Sequence, residues 1–247
     1  MASGDDRPAT AGFTDGARYD AARPDYPADA LHWIVDGLGL TPSSRVLDLA
    51  AGTGIMTRQL LERVGSVVAV EPSAGMREVL AASLPDVEAL VGTAEAIPLG
   101  DASVDAVVVA QAFHWFEPTA ALIEIHRVLV SGGGLALIWN ERDESVEWVD
   151  ALSRAMRWDV ERPYAAADFA PVIASGPFHD VEQARFAHHQ TLSRAGLYQR
   201  VETTSYLAMM SDEERRPVME AVARVVESLD EPITLPYVTE TYRARAD

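Results

Sequence analysis

The chain has no cysteine and no lysine. Without cysteine there is no disulfide, no thiolate nucleophile and no thiolate metal ligand. Without lysine there is no Walker-type phosphate loop, whose G-K-[ST] signature depends on that ammonium. Apolar runs of the roughly 18 residues that would suggest a membrane span are also missing. The start, Met1-Ala-Ser-Gly-Asp-Asp-Arg7, lacks the apolar stretch of a secretory signal, which sets the expectation of a cytoplasmic protein without a membrane partner. Positive charge is scarce as well: 20 arginines against 38 carboxylates give a formal net charge of −18. So acidic a surface repels polyanions, whereas nucleic-acid binders gain affinity by releasing counterions through a basic face. Nucleic acid is therefore not an expected partner.

What is present suffices for one α/β domain: 247 residues, 48% hydrophobic, are enough to bury a sizeable core. Apolar runs suggest strands near 46–50, 67–70, 87–91, 104–110 and 134–139, with helical spacing near 55–64, 74–83 and 118–129 between them. That alternation predicts a parallel sheet. The run Ser131-Gly-Gly-Gly134 reads as the break between the last of these helices and the fifth strand. Beyond Trp139 the pattern changes to a helix near 145–158, a Pro/Gly-punctuated stretch at 163–177 and a strand-like alternation at 181–190. Ser211 and Glu214 have capping-box spacing, with Pro217 as a competing helix start.

The loop Val46-Leu-Asp-Leu-Ala-Ala-Gly-Thr-Gly54 carries the chemistry. A buried strand runs into glycines that permit close backbone approach, and Met56, Leu60, Leu61 and Val64 then recur at helical spacing. Glu71 ends the next strand, where a carboxylate can accept both hydroxyl protons of an adenosine ribose. A dinucleotide fingerprint would need a third glycine at position 57, which is Thr57, so a nicotinamide cofactor is the weaker reading. Asp48 is a poor neighbour for a pyrophosphate. It suits a cofactor with an ammonium and a sulfonium, S-adenosylmethionine.

On these residues the chain resembles the class I S-adenosylmethionine-dependent methyltransferases, in particular the small-molecule branch that includes the trans-aconitate type. The glycine-rich motif is similar to Leu47–Gly54, with Ala50 where the family most often has its first glycine. The ribose-binding segment is similar to Glu71-Pro72-Ser73 with Met76, and the adenine segment to Gly92–Pro98, with Thr93 where many relatives have an aspartate and Ala94 and Glu95 beside it. Val107–Phe116, which contains Gln111, resembles the segment bordering the methyl-transfer chamber. Tyr19–Pro27 and Trp139–Asp143 are similar to the same branch. The resemblance implies a Rossmann-like α/β sheet with helices on both faces, late antiparallel strands and a helical substrate cap. It implies one domain over 1–247: an N-terminal arm or lid at 1–30, a cofactor-binding core at 31–140, and cap and C-terminal sheet elements at 141–247. The expected activity is methyl transfer to a small organic acceptor, a carboxylate or a natural-product intermediate. The alternative is a protein that uses the same cofactor in a reaction other than methyl transfer.

Each candidate residue also has a plainer reading. Tyr19, Arg23 and Tyr26 belong to an arm that either folds over the cofactor, with Arg23 on its carboxylate, or packs as extended chain against the surface, since Arg23 and Tyr26 both precede prolines. Phe113, Trp115 and Phe116 either line a chamber or fill core. His114, among them at the carboxyl end of a parallel strand, is the candidate general base or pocket residue. His188 and His189 are adjacent on a strand and point to opposite faces, so no metal site is expected there. Glu141, Asp143 and Glu144 read equally as substrate contacts or as a solvated loop.

Overall fold

The computed structural model describes residues 20–157 and 168–247. Its sheet has seven strands: β1 (Arg45–Leu49), β2 (Ser66–Val70), β3 (Glu88–Leu90), β4 (Val104–Ala110), β5 (Leu129–Arg142), β6 (Phe178–Leu192) and β7 (Ile233–Ala246). They lie in the order β3-β2-β1-β4-β5-β7-β6. The first five pair in parallel, with Val46 opposite both Val67 and Ala106. Side-chain bonds fix the direction of the last two. Arg243 reaches Glu182, Thr241 the carbonyl of Ala184 and Arg185 Glu240, so β6 runs antiparallel to β7. Thr239 donates to Asn140, and the Asp143 amide to the carbonyl of Pro236, which makes β7 antiparallel to β5. The mixed sheet, with its late antiparallel strands, is the one the sequence pointed to.

The near-continuous Val/Leu runs of β1, β2 and β4 follow from burial on both faces. Because side chains alternate, Leu47, Leu49, Val107, Val109, Leu135 and Leu137 fall on one face, against Leu122, Ile125 and Val128 of α4 (Pro118–Val128). Val46, Ala106, Val108, Ala136 and Ile138 fall on the other, against α1 (Ala28–Gly37) and α2 (Ile55–Leu61). A further helix, α3 (Ala74–Ser83), buries Met76 and Leu80. The carboxylate of Glu117 caps α4 by accepting from the amides of Thr119 and Ala120, and Pro118 opens the helix where its missing N–H costs nothing.

Two compact units can be distinguished. The larger comprises Asp25–Asn140, Asp168–Ala187 and Thr239–Asp247 and holds both cores just described, together with the short helix α6 (Ala170–Ala174). The smaller comprises Met1–Pro24, Glu141–Ala167 and His188–Val238. Its described part contains α5 (Glu147–Ala155), α7 (Arg194–Glu202), α8 (Ser205–Met209) and α9 (Asp212–Val226), around a core of Val149, Leu152, Leu197, Val201, Val218, Val222, Leu235 and Tyr237. Ser211 and Glu214 form the capping box of α9, which leaves Pro217 inside the helix and not at its start.

Two local expectations need correction. The glycine run does not separate helix from strand: α4 ends at Val128 and β5 begins at Leu129. Between the pairs Val104–Leu129 and Ala106–Gly134 the register shifts, and Gly132 has φ +72°, so these glycines form a bulge within the strand. Helix α1, which sequence periodicity did not mark, starts inside the segment read as arm and buries Ala30, Leu31, Ile34 and Val35. Among the described residues no helix is long and apolar enough to cross a membrane.

Candidate cofactor site

The strand order changes direction between β1 and β4, and in open α/β sheets ligands bind at the carboxyl ends of the strands where that reversal occurs. At those ends two non-glycine residues adopt left-handed backbone, Ala50 after β1 (φ +59°) and Gln111 after β4 (φ +59°). Each such residue costs about 1–2 kcal/mol, a strain that gathers at functional sites. The Gln111 amide donates to Ile138 O at 2.9 Å and its Nε2 to Asn140 O at 3.4 Å, which secures the turn.

Glu71 joins the glycine loop to the segment after β2. Its Oε2 accepts the amide of Gly52 at 2.9 Å and its Oε1 that of Ser73 at 2.8 Å, so one carboxylate shapes both the glycine loop and the start of α3. Burial raises its pKa, while the two amides and Arg77 oppose the shift. Each oxygen retains a second acceptor position for a ribose hydroxyl. Pro72 is exposed beside it, and Met76 is buried with its amide 3.5 Å from Ser73 Oγ.

Asp48 is fully buried. Thr57 Oγ1 donates to its Oδ2 at 2.5 Å, whereas its Oδ1 is buried with no hydrogen-bond partner. Desolvation, augmented by the charge of Glu71 and opposed by Thr57, pushes its pKa up to about 7. An orphaned carboxylate oxygen beside the loop is suited to an ammonium, and this is how the residues fit S-adenosylmethionine. Thr57, which sequence reasoning used only to argue against a dinucleotide, thus orients Asp48. The available signal was a threonine on the buried face of the helix that follows the loop.

Gly52 (φ +57°) has no atom within 4 Å of where a Cβ would stand, so the space beside it is open. At Gly54 (φ +91°) a Cβ would approach Leu80 Cγ to 3.0 Å, so this glycine serves helix packing. The two glycines make different demands. Gly52→Val should fold, as circular dichroism would show, yet bind S-adenosylhomocysteine at least tenfold more weakly by calorimetry, because a β-branched side chain both resists this left-handed backbone and fills that space; unchanged affinity would remove Gly52 from the cradle.

The segment Gly92–Pro98, expected from the sequence to border adenine, forms a tight turn closed by a Thr93–Ala96 bridge. Thr93 is exposed, Ala94 is buried in the core, and Glu95 Oε1 accepts the amide of Glu117 at 2.9 Å, tying the turn to the start of α4. His114 lies in a short 3-10 helix, Phe113–Trp115, directly after β4. Phe113 is core and packs edge-on to Phe116 and Phe169, while Trp115 is 38% exposed with its ring 4.8 Å from that of His114. The aromatic cluster therefore divides between packing and display.

Tyr19 lies outside the described residues. Arg23 belongs to the smaller unit, where its Nη2 donates to Thr203 O at 2.7 Å. Asp143 Oδ1 accepts from the amide and hydroxyl of Ser145, a turn-forming arrangement. His188 lies 6.2 Å from the Tyr237 ring, and its neighbour His189 is exposed.

A mixed sheet in this order, a glycine turn after β1 and an acidic residue after β2 define an α/β protein that binds a nucleoside-containing cofactor. The particular family follows from comparison. Residues 47–137 match a family model described as "Methyltransferase domain". Over 231 residues the chain is 38% identical to an uncharacterized methyltransferase of Mycobacterium tuberculosis, covering 92% of this chain and 91% of that one. It is 32% identical over 242 residues to an uncharacterized methyltransferase-like protein of Schizosaccharomyces pombe, covering 95% and 94%. The fold is similar to that of a provisionally named type II methyltransferase from Anaeromyxobacter dehalogenans, with TM-score 0.68, 23% identity, and 90% and 97% of the chains covered. The chain belongs to the S-adenosylmethionine-dependent methyltransferases.

Titration of Asp48 makes cofactor binding depend on pH. A carboxyl whose pKa is raised on folding stabilises the fold below its unfolded pKa, and that contribution is lost as pH rises from about 4 to about 7. An ammonium ligand reverses the preference and favours the ionised form. S-adenosylhomocysteine affinity should therefore rise with pH, by up to about tenfold per unit below pH 7, and level off above. In Asp48→Asn the rise should vanish, which separates Asp48 from Glu71. A pH-independent wild-type affinity in calorimetric titrations would detach Asp48 from the ammonium.

Proposed function

We propose that the protein transfers the methyl group of S-adenosylmethionine to a small organic acceptor, a carboxylate or a natural-product intermediate, as in the trans-aconitate-type branch that its motifs resemble. The observation that carries the cofactor half is the partnerless Asp48 Oδ1 near the carboxyl end of β1, just before the glycine loop that Glu71 braces. Supporting a small acceptor are the net charge of −18, which disfavours polyanionic substrates, and the partly exposed Trp115 next to His114 after β4.

When bound, the cofactor supplies an electrophilic methyl on a sulfonium with a neutral thioether as leaving group. Asp48 would hold the ammonium and Glu71 the ribose hydroxyls, and between them they would orient the bound cofactor. Most of the remaining task is alignment and exclusion of water. A carboxylate acceptor needs no base; for a phenol, alcohol or carbon acid, His114 takes the acceptor proton. The reading is tested by following S-adenosylhomocysteine release and methylated product with acceptor panels of carboxylic acids, phenols and amines. Product with a small acceptor is the expected result, and activity confined to a macromolecule would overturn it.

A further inference from the structure

Between β3 and β4 the chain runs through residues 92–100 as irregular backbone around the Thr93–Ala96 bridge, so its amides and carbonyls need partners from elsewhere. Side chains of α4 supply them. Glu124 Oε2 accepts the Ile97 amide at 3.0 Å and Arg127 Nη2 donates to the Ile97 carbonyl at 3.0 Å, so one ion pair takes both main-chain groups of that residue. Arg127 Nη1 donates at 2.8 Å both to Leu99 O and to Asp101 Oδ1, while the Arg127 carbonyl accepts the Ala102 amide at 3.0 Å. The segment is stitched to the end of one helix.

Two further bonds fix the guanidinium itself, since its Nε donates to Glu124 Oε1 and its Nη2 to Glu124 Oε2, each at 2.8 Å, in a two-pronged arrangement. Every N–H of the guanidinium then has an acceptor. The hydrogen bond from Arg127 holds the Glu124 carboxyl below its ordinary pKa, which keeps the pair charged. An ion pair one helical turn apart adds little stability of its own, so its weight here is geometric: a rigid fork to which the main chain of Ile97 and Leu99 is referred.

The core contacts of α4 come from other side chains, Leu122, Ile125 and Val128, so losing the guanidinium leaves the helix seated. Burial of Ala94 and Ile97 holds the segment against the same core. Burial fixes where the segment sits; the fork fixes how its backbone is turned. We propose that Arg127, acting through Glu124 and the main chain of Ile97 and Leu99, is a positioning residue for adenine recognition, setting the backbone against which the base lies without touching the cofactor itself. The proposal rests on the reading of residues 92–98 as the adenine border and names the support that gives this irregular loop a fixed shape.

The test is calorimetry on the full chain with S-adenosylhomocysteine and with S-inosylhomocysteine, in which a carbonyl replaces the adenine amino group. The wild type should prefer the adenine compound at least tenfold. Arg185→Gln, which breaks an exposed ion pair with Glu240 on the late strands, should keep both affinity and preference. Arg127→Gln should bind S-adenosylhomocysteine at least fivefold more weakly and lose most of the preference, because a turned main chain no longer meets the amino edge; Arg127→Lys, which keeps the charge without the fork, should fall between. Should Arg127→Gln fail to fold, Glu124→Gln, which weakens the hold on the Ile97 amide, should show the same two losses in smaller measure. Full affinity and preference in a folded Arg127→Gln protein would overturn the role, and so would weaker binding of both compounds in equal proportion, the mark of a merely structural pair. If the wild type binds S-adenosylhomocysteine but shows no preference, the adenine reading beneath the proposal falls instead.

Discussion

His114→Gln is expected to lower methyl-transfer turnover by roughly 10²–10⁴ for an acceptor that must lose a proton, while leaving S-adenosylhomocysteine affinity and thermal stability near wild type. The 3-10 turn is anchored by Phe113, which is 2% exposed and packed against Phe116 and Phe169, so His114 can be changed without removing the anchor. Its ring is only half-buried, beside Trp115. Glutamine preserves polarity but cannot take the proton. Near-normal turnover would eliminate the base and leave alignment as the account of catalysis. A joint loss of stability and cofactor affinity would make the residue part of the packing.

The second large effect belongs to Glu71. Glu71→Ala should weaken S-adenosylmethionine and S-adenosylhomocysteine by about 1.5–3 kcal/mol, the range for hydrogen bonds to a charged group, which is roughly 10–150-fold in Kd. The loss has two parts. The ribose hydroxyls lose their acceptor, and the amides of Gly52 and Ser73 lose the carboxylate that sets the loop and the first turn of α3. Glu71→Gln keeps one oxygen for a backbone amide and should fall between the two. Calorimetry on folded variants decides the matter, and unchanged affinity in Glu71→Ala would refute the placement of the ribose.

The sheet core was legible because strands buried on both faces read as unbroken apolar runs, as in Val67–Val70 and Val107–Val109. The glycine run at 132–134 misled for a definable reason: glycines usually punctuate, and only the pairing of β5 with β4 shows that they serve a bulge. Helix α1 was missed because Pro27, which accepts no side-chain capping bond, precedes it. In the candidate site, Asp48, Gly52, Gly54 and Glu71 were marked by residue type and spacing. The bond from Thr57 to Asp48 and the left-handed Ala50 were not, since the first depends on how α2 meets the strand and alanine gives no sign of positive φ.

The route of the chain through the two units limits how this protein can be divided. The backbone crosses from one unit to the other at Pro24/Asp25, Asn140/Glu141, Ala167/Asp168, Ala187/His188 and Val238/Thr239, so no single cleavage yields either unit whole. A fragment ending at Asn140 would retain every glycine and acidic residue of the cofactor cradle. It would nevertheless lose Phe169, stacked 4.6 Å from Trp139, and the Tyr242 ring against both of them. Its β5 would also become an open edge, with unpaired amides and carbonyls inviting association with another chain. The cradle is contiguous in sequence, but the sheet that supports it is completed only by the distant segment Thr239–Asp247. Any fragment that lacks Thr239–Asp247 therefore leaves the cofactor site on an unfinished sheet.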